Sequence, residues 1–172
     1  GCSGTGTCTV TMTAATTVTA TFTLNQHQLG VVRAGTGSGT VASAPSGINC
    51  GVDCTENYNA GQMVVLTATA AADSTFTGWS GTGITCPGTG TCTVTVNAAT
   101  TVTATFAINT FVLSVSRTGT GSGTVTSVPS GINCGGTCMA TYNAGQLVTL
   151  TASPGGNSAF TGWSGACTGL TT

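Results

Sequence analysis

Apolar and polar positions alternate with period two over two adjacent stretches near the middle of the chain. Cys92, Val94 and Val96 interleave with Thr91, Thr93 and Thr95; Val102, Ala104 and Phe106 interleave with Thr101, Thr103 and Thr105. Successive side chains of an extended strand point to opposite faces, so each arm carries one apolar face and one threonine face. The break between them, Asn97-Ala98-Ala99, is short and turn-compatible. Two β-branched runs so separated predict an antiparallel hairpin. A hairpin of this kind cannot bury its apolar face alone. The same pattern, TCTVTMTAATTVTATF, occupies residues 7–22.

Between these stretches the alternation predicts further short strands. Residues 29–33 and 40–43 flank the loop AGTGSG, whose glycines suit a tight or bulged turn. PSGINCGVDC (45–54) reads as a turn closed by its own cysteines. The strand at 62–69 places Val64, Leu66 and Ala68 inward, and STFTGW (74–79) precedes a further turn. Phe76 and Trp79 are three apart and cannot share one face of a regular strand, so a bulge or kink is expected at Gly78. No helical period occurs. The expectation is an all-β unit of about six short antiparallel strands.

The pattern repeats. Subtracting Cys50 from Cys134, Tyr58 from Tyr142, Trp79 from Trp163, Cys8 from Cys92 and Phe22 from Phe106 gives 84 each time. Fixed-period self-similarity marks an array of like units, and 84 residues per unit suits a bead-like domain better than a solenoid rung. The expected division is 1–24 as the closing hairpin of a preceding or donated repeat, 25–108 as a complete repeat, and 109–172 as a second repeat without its closing hairpin. Residues 25–28 (NQHQ) and 109–112 (NTFV) are the links, short enough to restrict how neighbouring beads are oriented.

Charge removes several function classes. Arg33 and Arg117 are the sole cations of the 172 residues, which gives no basic patch and excludes nucleic acid as a partner. Nine cysteines in so short a chain indicate an oxidising compartment. No long apolar run predicts a membrane span, and no secretory leader is recognisable, as expected of a mature form or a piece of a longer precursor. The acids Asp53, Glu56 and Asp73 have the uncharged counterparts Thr137, Ala140 and Asn157. A repeat that discards its carboxylates is not using them for acid–base catalysis or calcium binding. His27 aligns with Phe111 and reads as a linker residue, so no catalytic residue, cofactor or metal is expected.

Four thiols in one unit, Cys50, Cys54, Cys86 and Cys92, allow three disulfide pairings, with a four-thiolate zinc site as a rival. Local pairing is favoured: Cys50 with Cys54, Cys86 with Cys92, Cys134 with Cys138 and Cys2 with Cys8, because each pair brackets turn sequence. Cys167 is then unpaired. Its expected partner lies beyond Thr172 in a following hairpin, unless residues 1–24 of another copy complete the second repeat by strand donation. Trp79, Trp163, Tyr58 and Tyr142 are candidate surface-binding aromatics for sugar stacking, against the plainer reading that they cap small cores. The threonine ranks could order water or carry O-linked sugars, against the plainer reading of a solvated outer face.

The order GTGSGTV, P-SGINC, Y-N-AGQ, V-L-T-A, F-TGWSG, GTCTVT and V-TATF resembles the divergent internalin B-type repeat of bacterial secreted and surface proteins. The resemblance implies a β-grasp-like or sandwich-like module strung in tandem, with no catalytic residues. The functional expectation is an extracellular or cell-surface structural segment, a filament or stalk assembling end to end with copies of itself or neighbouring repeats. The alternative is an adhesin-type module recognising glycans or another surface.

Overall fold

The structure is a computed structural model, and it describes residues 2–86 and 88–167. The outer limits of the two end segments expected from sequence, residue 1 and residues 168–172, lie outside the described residues. Among the described residues every regular element is a strand.

The first repeat contributes β1 (Gln26–Gly35), β2 (Gly39–Ala44), β3 (Asn49–Cys50), β4 (Thr55–Asn59), β5 (Gln62–Ala70), β6 (Ser74–Ser80), β7 (Cys92–Val96) and β8 (Thr100–Ile108). They form two four-stranded sheets, ordered β4-β1-β8-β6 and β3-β2-β5-β7. Leu29, Val31, Tyr58, Val102, Ala104 and Phe106 from the first sheet meet Val41, Cys50, Val64, Leu66, Val94 and Val96 from the second in one buried cluster. The unit is therefore a β-sandwich whose sheets each bury one face and leave the other to solvent. Cys92, Val94 and Val96 are buried while Thr93 and Thr95 are exposed, as the alternation requires.

Two finer expectations are corrected. Neither β1–β2 nor β7–β8 is a hairpin: β7 pairs with β5, and β8 lies between β1 and β6. Each short connection crosses from one sheet to the other. Alternation dictates which face is buried but not which neighbour supplies the hydrogen bonds, and crossing lets two apolar arms face each other across the core. The second correction follows from the first. β8 returns beside β1 in the same direction, so one pair, β1 with β8, is parallel in a unit otherwise antiparallel, and there are eight strands where about six were expected.

The bulge falls where Phe76 and Trp79 demand it. The register between β6 and β8 slips between Phe76 and Gly78, and both rings then pack on the core, 4.9 Å apart between centroids.

The second repeat contributes β9 (Thr110–Ser114), β10 (Gly123–Val128), β11 (Asn133–Cys134), β12 (Met139–Asn143) and β13 (Thr149–Pro154). β9 pairs with β12, and β11-β10-β13 form a three-stranded sheet. Its buried apolar set is Val125, Ile132, Cys134 and Tyr142, against fourteen residues in the first repeat. Residues 2–24 form no strand and are exposed throughout. The hairpin expected at 7–22 is not formed in this structure: neither arm is paired with a strand.

Candidate functional site

Four disulfides staple the turns. Cys50–Cys54 and Cys134–Cys138 close loops of sequence separation 4, with Cα atoms 4.2 Å apart in each. Cys2–Cys8 and Cys86–Cys92 have separation 6. Cys50, Cys92 and Cys134 are fully buried, so these bridges are part of the cores as well as clamps on the loops. Cys167 is free and exposed.

Tyr58 and Tyr142 are only 4% and 8% exposed, which removes them as external stacking platforms. Their hydroxyls bond Ser43 Oγ at 2.8 Å and Ser127 Oγ at 2.7 Å. Each serine also donates to the carbonyl of Pro45 or Pro129 and accepts from the amide of Ile48 or Ile132. A hydroxyl has one donor and two acceptor sites, and this arrangement uses all three. Ser43→Ala leaves the Ile48 amide without its acceptor and the Tyr58 hydroxyl with only the longer bond to the Pro45 carbonyl, at 3.3 Å. The expected loss is about 1–3 kcal/mol of first-repeat stability, read as a lowered thermal midpoint, with Tyr58→Phe costing less.

The tryptophans are half-buried. Trp79 Nε1 donates to the Gly90 carbonyl at 2.7 Å, and Trp163 stands edge-on to Phe160 at 5.0 Å. Each spends one face on its own repeat. Arg33 and Arg117 donate to the carbonyls of Gly39 and Gly123, so both guanidinium groups brace the glycine loops.

Asn109 joins the two repeats. Of the expected links, residues 26–28 and 110–112 lie inside β1 and β9, which leaves Asn25 just before β1 and Asn109 between β8 and β9. The Asn109 amide donates to the Asp73 carbonyl at 2.8 Å, and its Oδ1 accepts from Thr75 Oγ1 at 2.6 Å. Its carbonyl accepts from the Ala144 amide at 2.8 Å. Asn109 is thus bonded to the first repeat through two groups and to the second through one. Asn25 repeats the last of these bonds, accepting from the Ala60 amide at 2.7 Å.

Sequence reading missed the serines and Asn109, since Ser and Asn in polar runs look like solvated turn residues. The 84-residue recurrence of Ser43 as Ser127 and of Asn25 as Asn109 was the available signal.

The residue that completes the sandwich is Phe106, 1% exposed. Its ring lies where a side chain on Gly39 would go, and its backbone where one on Gly35 would go. Gly35 has φ +97°, so the loop needs glycine there for its backbone as well as for space.

Among the described residues no three His, Cys, Asp or Glu side chains gather into a metal-binding group. None of them forms a helix long and apolar enough to cross a membrane, which says nothing of β-barrels.

Disulfide-bonded all-β beads in tandem, joined through one hydrogen-bonded residue, define a repeat module. The chain belongs to the divergent InlB B-repeat domain family, whose model matches residues 32–110 and again 113–172. Comparison with curated proteins and with solved structures finds no match.

Proposed function

We propose that the chain is a structural segment of a secreted bacterial surface protein, a stalk or filament in which beads stack end to end to hold what lies on either side at a set distance. The observation that carries this reading is the junction. β8 ends at Ile108 and β9 begins at Thr110, and the one residue between them is bonded to both beads. A link this short with its polar groups engaged transmits orientation, whereas a flexible linker of several residues would not. Disulfides suit an oxidising exterior, and the family is that of a surface-type repeat. The rings and carboxylates supply no catalytic set, which favours a mechanical role over an enzymatic one. Glycan recognition loses two of its four candidate rings, Tyr58 and Tyr142, which are buried.

Asn109→Gly tests the junction. With spin labels carried by non-canonical residues at exposed Thr93 and Thr151, the natural chain is expected to give a narrow distance distribution and the variant a broad one. Equal widths would contradict the spacer reading. Labelling of intact producing cells with an impermeant reagent tests the location: the protein should react before lysis.

A further inference from the structure

The first repeat leaves part of one strand edge uncovered. In β1 the Val31 amide donates to the Cys54 carbonyl at 2.8 Å, on the side where β4 lies. Backbone groups along a strand alternate in direction, so Arg33 and Gly35 turn theirs to that same side. β4 pairs with β1 only at residues 26–30, and among the described residues no strand continues its line past Cys54. The disulfide turn is the reason: Asp53 bridges to Asn49, the turn is tied by Cys50–Cys54, and the chain is drawn off the sheet. The other edge of residues 31–35 is occupied by β8.

An open groove of 520 Å³ lies along this edge, lined by residues 31–35, by 37–39 and by Cys54. Consecutive residues of one strand line it, as an edge presents them, whereas a sheet face would offer alternate ones. Its volume falls among those of ligand-holding clefts, about 300–1,000 Å³. Arg33 shares by period two the face of buried Leu29 and Val31, yet is itself exposed. Its Nη1 donates to the Gly39 carbonyl at 2.8 Å, which leaves the rest of its N–H fork free to take a carboxylate. No acid lines the groove. The chain's carboxylates are placed elsewhere: Asp53 accepts from the Thr55 amide, Glu56 accepts from the Asn57 amide, and Asp73 faces Gly145.

We infer that this edge takes an extended peptide segment of a partner protein bearing an Asp or Glu, added antiparallel to β1 along the line that β4 leaves. The amide and carbonyl of Arg33 and the amide of Gly35 supply the ladder bonds, which hold a backbone without regard to its sequence. Selectivity comes from charge. The residue directly opposite Arg33 has its side chain on the same side of the sheet, so an acid there meets a guanidinium suited to gripping carboxylate with two parallel bonds. One of the chain's two cations stands in a groove without an acid, and charge complementarity makes the ligand group an anion. A peptide is favoured over an acidic polysaccharide because the edge presents backbone donors and an acceptor in strand order, which another backbone matches. In the second repeat Arg117 likewise donates to the Gly123 carbonyl and the Val115 amide to the Cys138 carbonyl, but residues 115–119 are not in a strand, so the site is assigned to the first repeat.

The site is built within one repeat and goes beyond the spacer reading, which neither supplies it nor depends on it. The experiment is selection of binders to the 172-residue chain from a displayed library of random heptapeptides. Selected sequences are expected to share an Asp or Glu at one fixed position between β-forming residues and to lack proline beside it. The best of them, made as a free peptide, should bind one to one and slow amide exchange at residues 33 and 35. Replacing its acid by the amide, or Arg33→Gln in the protein, should weaken binding by about tenfold or more, the loss expected of a hydrogen bond to a charged group. Arg33→Lys falls between, and Arg117→Gln binds as the natural chain does. Circular dichroism of each variant, matching the natural chain, separates a lost contact from a lost fold. A library that yields no binder, binders without an acid, or equal weakening by Arg33→Gln and Arg117→Gln overturns the inference. So does an oligogalacturonate that displaces the peptide at equal carboxylate concentration, since a polysaccharide would then be the better occupant.

Discussion

Phe106→Ala is expected to lower the stability of the first repeat by about 3–5 kcal/mol. The ring is 1% exposed and fills the space over Gly39; it also stands 5.3 Å from the ring of Phe76. β8, which carries it, is flanked by β1 and β6 in the middle of its sheet. The lost contacts therefore cannot be recovered by collapse from one side. A domain of this size has about 5–15 kcal/mol in all, so the variant sits close to unfolding at ambient temperature. Denaturant unfolding followed by Trp79 fluorescence reads the change. Phe22→Ala, at a ring 91% exposed, should leave the same transition in place in dilute monomer. A Phe106→Ala chain with an unchanged midpoint would mean that β8 is not the element that completes the core.

Reducing the two bridges of the first repeat is expected to cost about 4 kcal/mol, roughly 2 for each short loop by chain entropy. The bridges join Cys50 to Cys54 and Cys86 to Cys92. Blocking the thiols adds to this, because Cys50 and Cys92 are fully buried and a bulky cap on either cannot be accommodated. Circular dichroism of reduced, alkylated protein should show loss of β structure well below the midpoint of the oxidised form. The second repeat, with Cys134–Cys138 alone and a four-residue buried set, should melt first in either state. A reduced chain that keeps its oxidised midpoint would show that the cores suffice without sulfur.

The sequence made faces legible and partners illegible. Val94 buried beside Thr93 exposed follows from period two, whatever the neighbouring strand. That β7 hydrogen-bonds β5 and not β8 does not, because a three-residue break serves a hairpin and a sheet-to-sheet crossing equally well. The Phe76 and Trp79 spacing carried real information, since two aromatics seeking one core can be reconciled only by a slipped register at Gly78. Tyr58 sits in the polar run Asn57-Tyr58-Asn59, and nothing local says its ring turns inward. The ring is buried in the core cluster, and Ser43, fifteen residues away, supplies the partner its hydroxyl needs there. Asn109 was legible as linker composition but not as a clasp, because two of its three bonds run through its backbone.

Amide hydrogen exchange on the chain lacking residues 1–24 tests the central claim, that β7 and β8 turn an open half-sandwich into a closed bead. Residues 31–35, paired with β8, should be strongly protected, and their counterparts 115–119 should exchange almost freely. Equal protection of the two stretches in that truncated monomer would contradict the account.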